Sequence, residues 1–362
     1  MFIDHVHFYV EDATAWRDWF VSIFGFQSIA SGFSAETHSE VVGMGRICFV
    51  LSAARTEASP IAQYLRQHPP GVANIALRVL QLEPVLTQAI AAGMPLVQSI
   101  QVRSPQRVAV VGGWESLQHT LIEGDGLAAV LGHLGGEGVI KVAPVPLMQN
   151  PPFLGIDHVV LNVAAGDLER TVAWYEAGLG LKRQQMFAIH TDRSALCSQV
   201  LKHPQGSVQM PINEPASSRS QIQEFLDHNR GAGIQHIAIA TANAVESIAR
   251  LRKRGLAFLP VPQTYYDELP QRSGFRLSEA QRQAIAREQV LVDWPIDRPQ
   301  AMLLQAFTQP IFPQPTFFFE LIERQSYQVN QQTQQAEGFG EGNFRALFEA
   351  IEREQLKRGS LQ

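Results

Sequence analysis

Apolar and polar positions alternate with a period of two through several short runs of this chain. In His158-Val159-Val160-Leu161-Asn162-Val163 and in His236-Ile237-Ala238-Ile239-Ala240 the alternation predicts half-buried β-strands. Near the C-terminus the period changes. Phe344, Leu347, Phe348 and Ile351 fall at i, i+3, i+4 and i+7, which predicts an amphipathic helix. Asn343 is the expected N-cap of that helix, and Lys357, Arg358 and Gly359 are its stop signals. Ser278 followed by Gln281 predicts a capping box at the start of an inserted helix. Residues 325–342 are rich in glutamine and glycine and read as a mobile loop.

The pattern also repeats. Ile3-Asp4-His5-Val6 matches Ile156-Asp157-His158-Val159, and Trp19-Phe20 with Phe24-Gly25-Phe26 matches Trp174-Tyr175 with Leu179-Gly180-Leu181. Gly71-Val72-Ala73-Asn74-Ile75-Ala76-Leu77 matches Gly233-Ile234-Gln235-His236-Ile237-Ala238-Ile239, and both lead through a helical stretch to a glycine, Gly93 and Gly255. Leu121-Ile122-Glu123 and Leu321-Ile322-Glu323 close the two copies. An internal repeat of this kind predicts two similar halves, each with two units of strand, helix and several strands. The expected division is a first half at 1–134, a proline- and glycine-rich linker at 135–152, and a second half at 153–362.

Composition narrows the class. A chain of 362 residues, 45% hydrophobic and 17% charged, is long enough for two globular cores. A net charge of −5 without a basic block argues against nucleic acid as a partner. Two cysteines, Cys48 and Cys197, cannot build a disulfide framework and suit a reducing cytoplasm. No run approaches the roughly 20 apolar residues needed to span a bilayer, so no membrane role is expected. The N-terminal run reads as a strand and not as a signal peptide. Oligomeric state is open.

The duplication permits a comparison within one chain. His5 stands opposite His158, Asn74 opposite His236, and Thr120 opposite Glu320. The second half therefore offers His, His and Glu where the first offers His, Asn and Thr. A lone strand histidine is more often a hydrogen-bonded core residue than a ligand. Three such positions, matched by a repeat that lacks the full set, point to a metal. Two imidazoles and one carboxylate suit iron(II) and leave three positions open for substrate and O₂. Zinc hydrolysis on the same ligands is the chemical alternative.

Several ordered runs carry a resemblance. They are Pro211-Ile212-Asn213-Glu214-Pro215, Ser220-Gln221-Ile222-Gln223, Gly231-Ala232-Gly233-Ile234-Gln235-His236, Pro262-Gln263-Thr264-Tyr265-Tyr266 and Leu303-Leu304-Gln305-Ala306-Phe307-Thr308. Pro315-Thr316-Phe317-Phe318-Phe319-Glu320 and Gly338-Phe339-Gly340-Glu341-Gly342-Asn343-Phe344 complete the set. Together they resemble the 4-hydroxyphenylpyruvate dioxygenase family across roughly residues 153 to 350. The resemblance implies an α+β fold of two similar domains, each of paired βαβββ modules of the vicinal-oxygen-chelate type forming open barrels, with a C-terminal lid helix. It implies one Fe(II) per chain and conversion of 4-hydroxyphenylpyruvate and O₂ to homogentisate and CO₂, in tyrosine breakdown or in prenylquinone and tocopherol synthesis. The substrate is an aromatic 2-oxo acid, so no 2-oxoglutarate is required. By the same resemblance Ser198, Asn213, Gln221, Gln235 and Gln305 are polar substrate-positioning residues, and a glutamine amide can orient a phenol without ionising it. Phe307, Phe318, Phe339, Asn343, Phe344 and Leu347 belong to the wall and lid. Without the resemblance, the aromatic residues and Leu347 read as plain core. The loop between Asn213 and Gln221 looks short for the family, and Ala188 to Arg193 matches it poorly.

Two other readings compete. A 4-hydroxymandelate synthase would share fold, metal and substrate, but Phe307 and Pro211 fall on the dioxygenase side of that division. A non-catalytic small-molecule binding protein of the same fold would be expected to have lost a ligand from the second half.

Overall fold

The computed structural model describes residues 1–103, 106–124, 141–142, 151–191 and 194–359. Its first sheet contains β1 (Phe2–Tyr9), β2 (Gln27–Phe33), β3 (Thr37–Met44), β4 (Ile47–Ala54), β5 (Gly71–Val79), β6 (Leu96–Arg103), β7 (Gln106–Gly112), β8 (Gln118–Glu123) and β9 (Lys141–Val142). They lie in the order β6-β7-β8-β5-β1-β4-β3-β2-β9. The second sheet contains β10 (Phe153–Asn162), β11 (Lys182–His190), β12 (Ala195–Lys202), β13 (Gln209–Pro215), β14 (Gly233–Thr241), β15 (Leu291–Asp293), β16 (Leu303–Phe307) and β17 (Phe318–Arg324). Their order is β11-β12-β13-β10-β14-β17-β16-β15.

Both orders are the same construction. A strand leads into a helix, three strands return as a meander, and the last of them lies parallel to the first. β4 returns beside β1, β8 beside β5, β13 beside β10 and β17 beside β14. A parallel return needs a crossover, supplied by the helices Ala13–Trp19, Leu82–Ala91, Leu168–Leu179 and Ala244–Lys253. Two such βαβββ modules join through the antiparallel pairs β1–β5 and β10–β14. The fold is α+β and the sheets curl into half-barrels.

Alternation decides which face is packed. Val6, Phe8 and Val10, with Val159, Leu161 and Val163, enter one large core shared by the two sheets and their helices. Phe8 meets Phe317 edge-on at 5.2 Å, and Phe49 stacks on Phe319 at 5.8 Å. Each fully buried phenylalanine contributes roughly 1.5–3 kcal/mol. The intervening residues, among them His5, Asn74, His158, Asn162, His236 and Glu320, are also buried, but face the inside of each curled sheet.

Two local expectations change. Within residues 325–342, β18 (Ser326–Val329) and β19 (Gln332–Gln335) form a hairpin whose two-residue turn, Asn330 and Gln331, has positive φ at both positions (48° and 66°). An Asn-Gln turn is a weaker signal than Asn-Gly, which is why composition alone suggested a loop. The C-terminal helix spans Glu341–Arg358 with left-handed Gly340 as its N-cap, so Asn343 lies inside the first turn. Its side chain is drawn inward to other partners and does not cap. The expected linker at 135–152 lies outside the described residues except for Lys141–Val142 and residues 151–152. The Ser278–Gln281 capping box is present on the helix Glu279–Arg287.

Candidate metal centre and pocket

Strand register brings the three candidate ligands together. His158 pairs with Ala238 across β10–β14, and Ala238 pairs with Glu320 across β14–β17. His158 and Glu320 thus stand in one row, two strand spacings or about 9–10 Å apart in backbone, with the small Ala238 between them. Over that methyl group their side chains meet, His158 Nε2 lying 3.3 Å from Glu320 Oε2. His236 enters from the next row on the same face, its Nε2 3.4 Å from the same oxygen. One ligand atom from each residue lies within 4.8 Å of the others.

Two β-bulges make this geometry work. The β10–β14 register skips Asp157 between the His158 and Ile156 pairs, and skips Gln235 between the His236 and Ile234 pairs. A bulge changes the aim of neighbouring side chains. Ile234 and Ile237 can therefore both enter the core, while Gln235 and His236 are both freed for the inner face. Beside the other bulge, Asp157 Oδ1 reaches the Nδ1 of adjacent His158 at 2.8 Å. Arg324 grips the same carboxylate with two bonds of 2.7 and 2.8 Å. A carboxylate on Nδ1 fixes the tautomer that leaves Nε2 as a ligand atom.

The charges follow from this crowding. Burial opposes the Glu320 carboxylate, but the charge and hydrogen bond of His158 outweigh it and lower its pKa to about 2. Burial likewise opposes a charged His158, yet Glu320 and Asp157 raise it to about 9. His236 is lowered, because burial prevails over its contact with Glu320. Glu320 uses its other oxygen to accept from Gln305 Nε2 at 2.8 Å. Phe318 stacks on the His236 ring at 4.7 Å, and Phe339 meets the His158 ring edge-on at 4.9 Å. Two imidazole nitrogens and a carboxylate oxygen, oriented by a second layer of partners and walled by phenyl rings, fit a divalent first-row metal ion.

The other expected site residues fall into two groups. Ser198 on β12, Asn213 on β13 and Asn162 on β10 align in register as a polar ladder. Asn213 Nδ2 donates to Asn162 Oδ1 at 3.2 Å. Ser198 Oγ, Asn213 Oδ1, Asn162 Nδ2 and Gln221 Oε1 are buried without a protein partner. Leaving such a group unmatched costs about 1–3 kcal/mol, and these four lie on the same half-barrel as the His-His-Glu group. Gln221 opens the helix Gln221–Asn229 and, with Gln235 and Phe318, lines a cavity of about 90 Å³ beneath the C-terminal helix. Gln305 differs, since its amide is used at both ends. It donates to Glu320 and accepts from Asn343 Nδ2 at 2.7 Å. Phe307, Phe318 and Leu347 pack in one cluster with Phe344 against it, and Phe344 meets Phe187 at 5.0 Å.

Asp157, Arg324 and Asn162 were missed as site residues. Signals for two of them were present: both repeats carry Asp immediately before His, and Asn162 lies four residues after His158 on a strand of period two.

Relatives agree with this construction. Residues 155–270 match the Glyoxalase/Bleomycin resistance protein/Dioxygenase superfamily, the class that the paired modules and the buried His-His-Glu group define. The chain is 36% identical to a 4-hydroxyphenylpyruvate dioxygenase of Caenorhabditis briggsae, over 99% of this chain and 93% of that protein. It is 34% identical to one from Dictyostelium discoideum, over 99% of both. A substituted form of 4-hydroxymandelate synthase from Streptomyces coelicolor superposes with a TM-score of 0.85 at 26% identity, covering 98% of each chain. The chain belongs to the 4-hydroxyphenylpyruvate dioxygenase family. Among the described residues, no helix is long and apolar enough to cross a membrane.

Proposed function

We propose that this protein is an Fe(II)-dependent dioxygenase converting 4-hydroxyphenylpyruvate and O₂ to homogentisate and CO₂, with His158, His236 and Glu320 as its metal ligands. The observation that carries the reading is the convergence of those three side chains on one buried point, inside a half-barrel that also holds unmatched polar groups. Bound iron would supply the activation of O₂ and a hold on the substrate's 2-oxo acid group. The substrate brings its own 2-oxo acid, so no 2-oxoglutarate is needed.

The protein's part is orientation and exclusion of water. Asp157 and Gln305 hold His158 and Glu320 in ligating orientations. Asn162, Ser198, Asn213, Gln221 and Gln235 offer amide and hydroxyl groups that bind a neutral phenol and a carboxylate without exchanging protons with them. Phe307 and Phe318 flank the ring. The helix Glu341–Arg358 covers the pocket with Phe344 and Leu347, and Phe339 precedes it as the inner wall. The cavity of about 90 Å³ beside Gln221, Gln235 and Phe318 is bounded on this side by Ile351, Glu354 and Arg358 of the same helix, and a helix seated over the half-barrel can act as a gate for substrate. Cys48 and Cys197 are free thiols, which suits a cytoplasmic setting.

The test is oxygen uptake by the iron-loaded protein with 4-hydroxyphenylpyruvate, followed by product identification. Homogentisate is the expected product. Hydroxymandelate would reassign the protein to the synthase, and no turnover with iron bound would favour a binding protein.

A further inference from the structure

We propose that Arg324 is a positioning residue that ties the metal site to the segment leading into the C-terminal helix, so that metal binding and docking of that helix are coupled. The inference rests on His158, His236 and Glu320 being metal ligands.

Arg324 is the last residue of β17, four residues beyond Glu320. Its guanidinium is mostly buried, with 14% of the side chain exposed. One edge grips both oxygens of Asp157, whose carboxylate also holds His158 Nδ1. The remaining nitrogen donates to two backbone carbonyls, Ala336 at 3.2 Å and Gly338 at 2.8 Å. These carbonyls belong to the strap between β19 and the C-terminal helix. The guanidinium also lies 5.8 Å from the ring of Phe339, the ring that meets His158. A planar fork with five donors can serve a carboxylate and two carbonyls together, which a lysine ammonium cannot do in this geometry.

A second link runs in parallel. Glu320 accepts from Gln305, which also donates to Phe339 O at 3.4 Å and accepts from Asn343 in the first turn of the helix. Gly340 lies against this link in a left-handed conformation. A Cβ there would come within 2.7 Å of Gln305 Oε1. Glu320 thus reaches the strap and the helix through one side chain, Gln305, and His158 reaches the strap through two, Asp157 and Arg324. Holding these ligands in place therefore favours the docked helix, and by reciprocity docking must strengthen metal binding equally. The first half has Asp4 between His5 and Arg78, but there the arginine comes from β5 and not from the strand that leaves for a lid.

Hydrogen exchange of the metal-free full chain, with and without iron(II) added under argon, tests the coupling. In wild type, saturating iron should slow amide exchange across 341–358 about fivefold or more. Arg324→Met should bind iron about 10- to 100-fold more weakly and, once saturated, show no such slowing. Arg324→Lys should recover affinity more than it recovers protection. Gly340→Ala, which touches no ligand, should weaken iron binding by the same linkage, and this arm stands if Arg324→Met does not fold. Iron bound to wild type without any change in exchange at 341–358 would overturn the inference, as would full protection in Arg324→Met. Wild type that binds no iron would overturn the metal site itself, together with everything argued from it.

Discussion

The row His5–Ala76–Thr120 in the first sheet and the row His158–Ala238–Glu320 in the second occupy the same register, with Asn74 and His236 each one row away. Both halves bulge at the Asp before the His, and both hydrogen-bond that Asp to the imidazole at 2.8 Å. What differs is how the inner face is used. In the first half Asn74 Oδ1 accepts from the backbone N–H of Thr120 at 3.2 Å, and His7, Ser52 and Ser39 form a closed chain of hydrogen bonds. Apolar clusters around Val41 and Val50, and around Ala76 and Ile122, pack the remainder. In the second half two strand positions carry His and Glu, and the neighbouring ladder ends in unmatched polar atoms. The scaffold supplies three convergent positions in both halves. Two residue identities, His236 for Asn74 and Glu320 for Thr120, complete a His-His-Glu group that among the described residues the second half carries and the first does not.

The strongest way to break this comparison is to truncate equivalent positions. His236→Ala should lower oxygen uptake by about a thousandfold or more, because the metal loses a ligand. Asn74→Ala should leave turnover within about twofold and cost about 1–3 kcal/mol of stability by stranding the Thr120 N–H, measured by denaturant unfolding. A reversed result would mean that the halves have been assigned the wrong roles.

The next effect in size concerns the two aspartates. Asp157→Asn should weaken metal affinity about 10- to 100-fold, while Asp4→Asn should leave it unchanged, as read by competition with a coloured chelator. Equal losses would show that Asp157 acts on folding and not on His158. Comparable in size is the effect of pH. Burial opposes the charged imidazole of His158, but Glu320 holds its proton up to about 9 in the metal-free protein. The proton competes with the metal below that pH, so affinity should rise about tenfold per unit from pH 7 to 9 and then level. Flat affinity over that range would show that no ligand proton is displaced.

The smallest effect should come from Ser198→Ala. Its hydroxyl is buried without a protein partner, so removal should leave stability unchanged or slightly raised, and raise KM about three- to tenfold. A loss of stability with unchanged KM would make the polar ladder structural.

Much of this was legible in the sequence because repetition exposes departures from a shared pattern. The module order follows from paired strand, helix and glycine signals, and the His, His and Glu positions follow from aligning one half on the other. The family resemblance drew Gln305, Phe339 and Asn343 to the site, but not what they touch. Arg324 was not legible, because Asp157 is 167 residues away and Ala336 and Gly338, 12 and 14 residues on, return to it only through the β18–β19 hairpin. Asn343 was misread as a cap because capping is a local rule, whereas its side chain is satisfied by Leu303 O and Gln305 across the fold. The β18–β19 hairpin was missed for the opposite reason: its glutamine-rich strands lack the apolar alternation that marks a half-buried strand.

The most direct measurement is an anomalous-scattering map at the iron edge, from crystals of the protein loaded anaerobically with iron(II). The account predicts one peak per chain, about 2 Å from Nε2 of His158, Nε2 of His236 and a carboxylate oxygen of Glu320, with none beside His5. A peak elsewhere, or its absence in protein that carries stoichiometric iron, would contradict it.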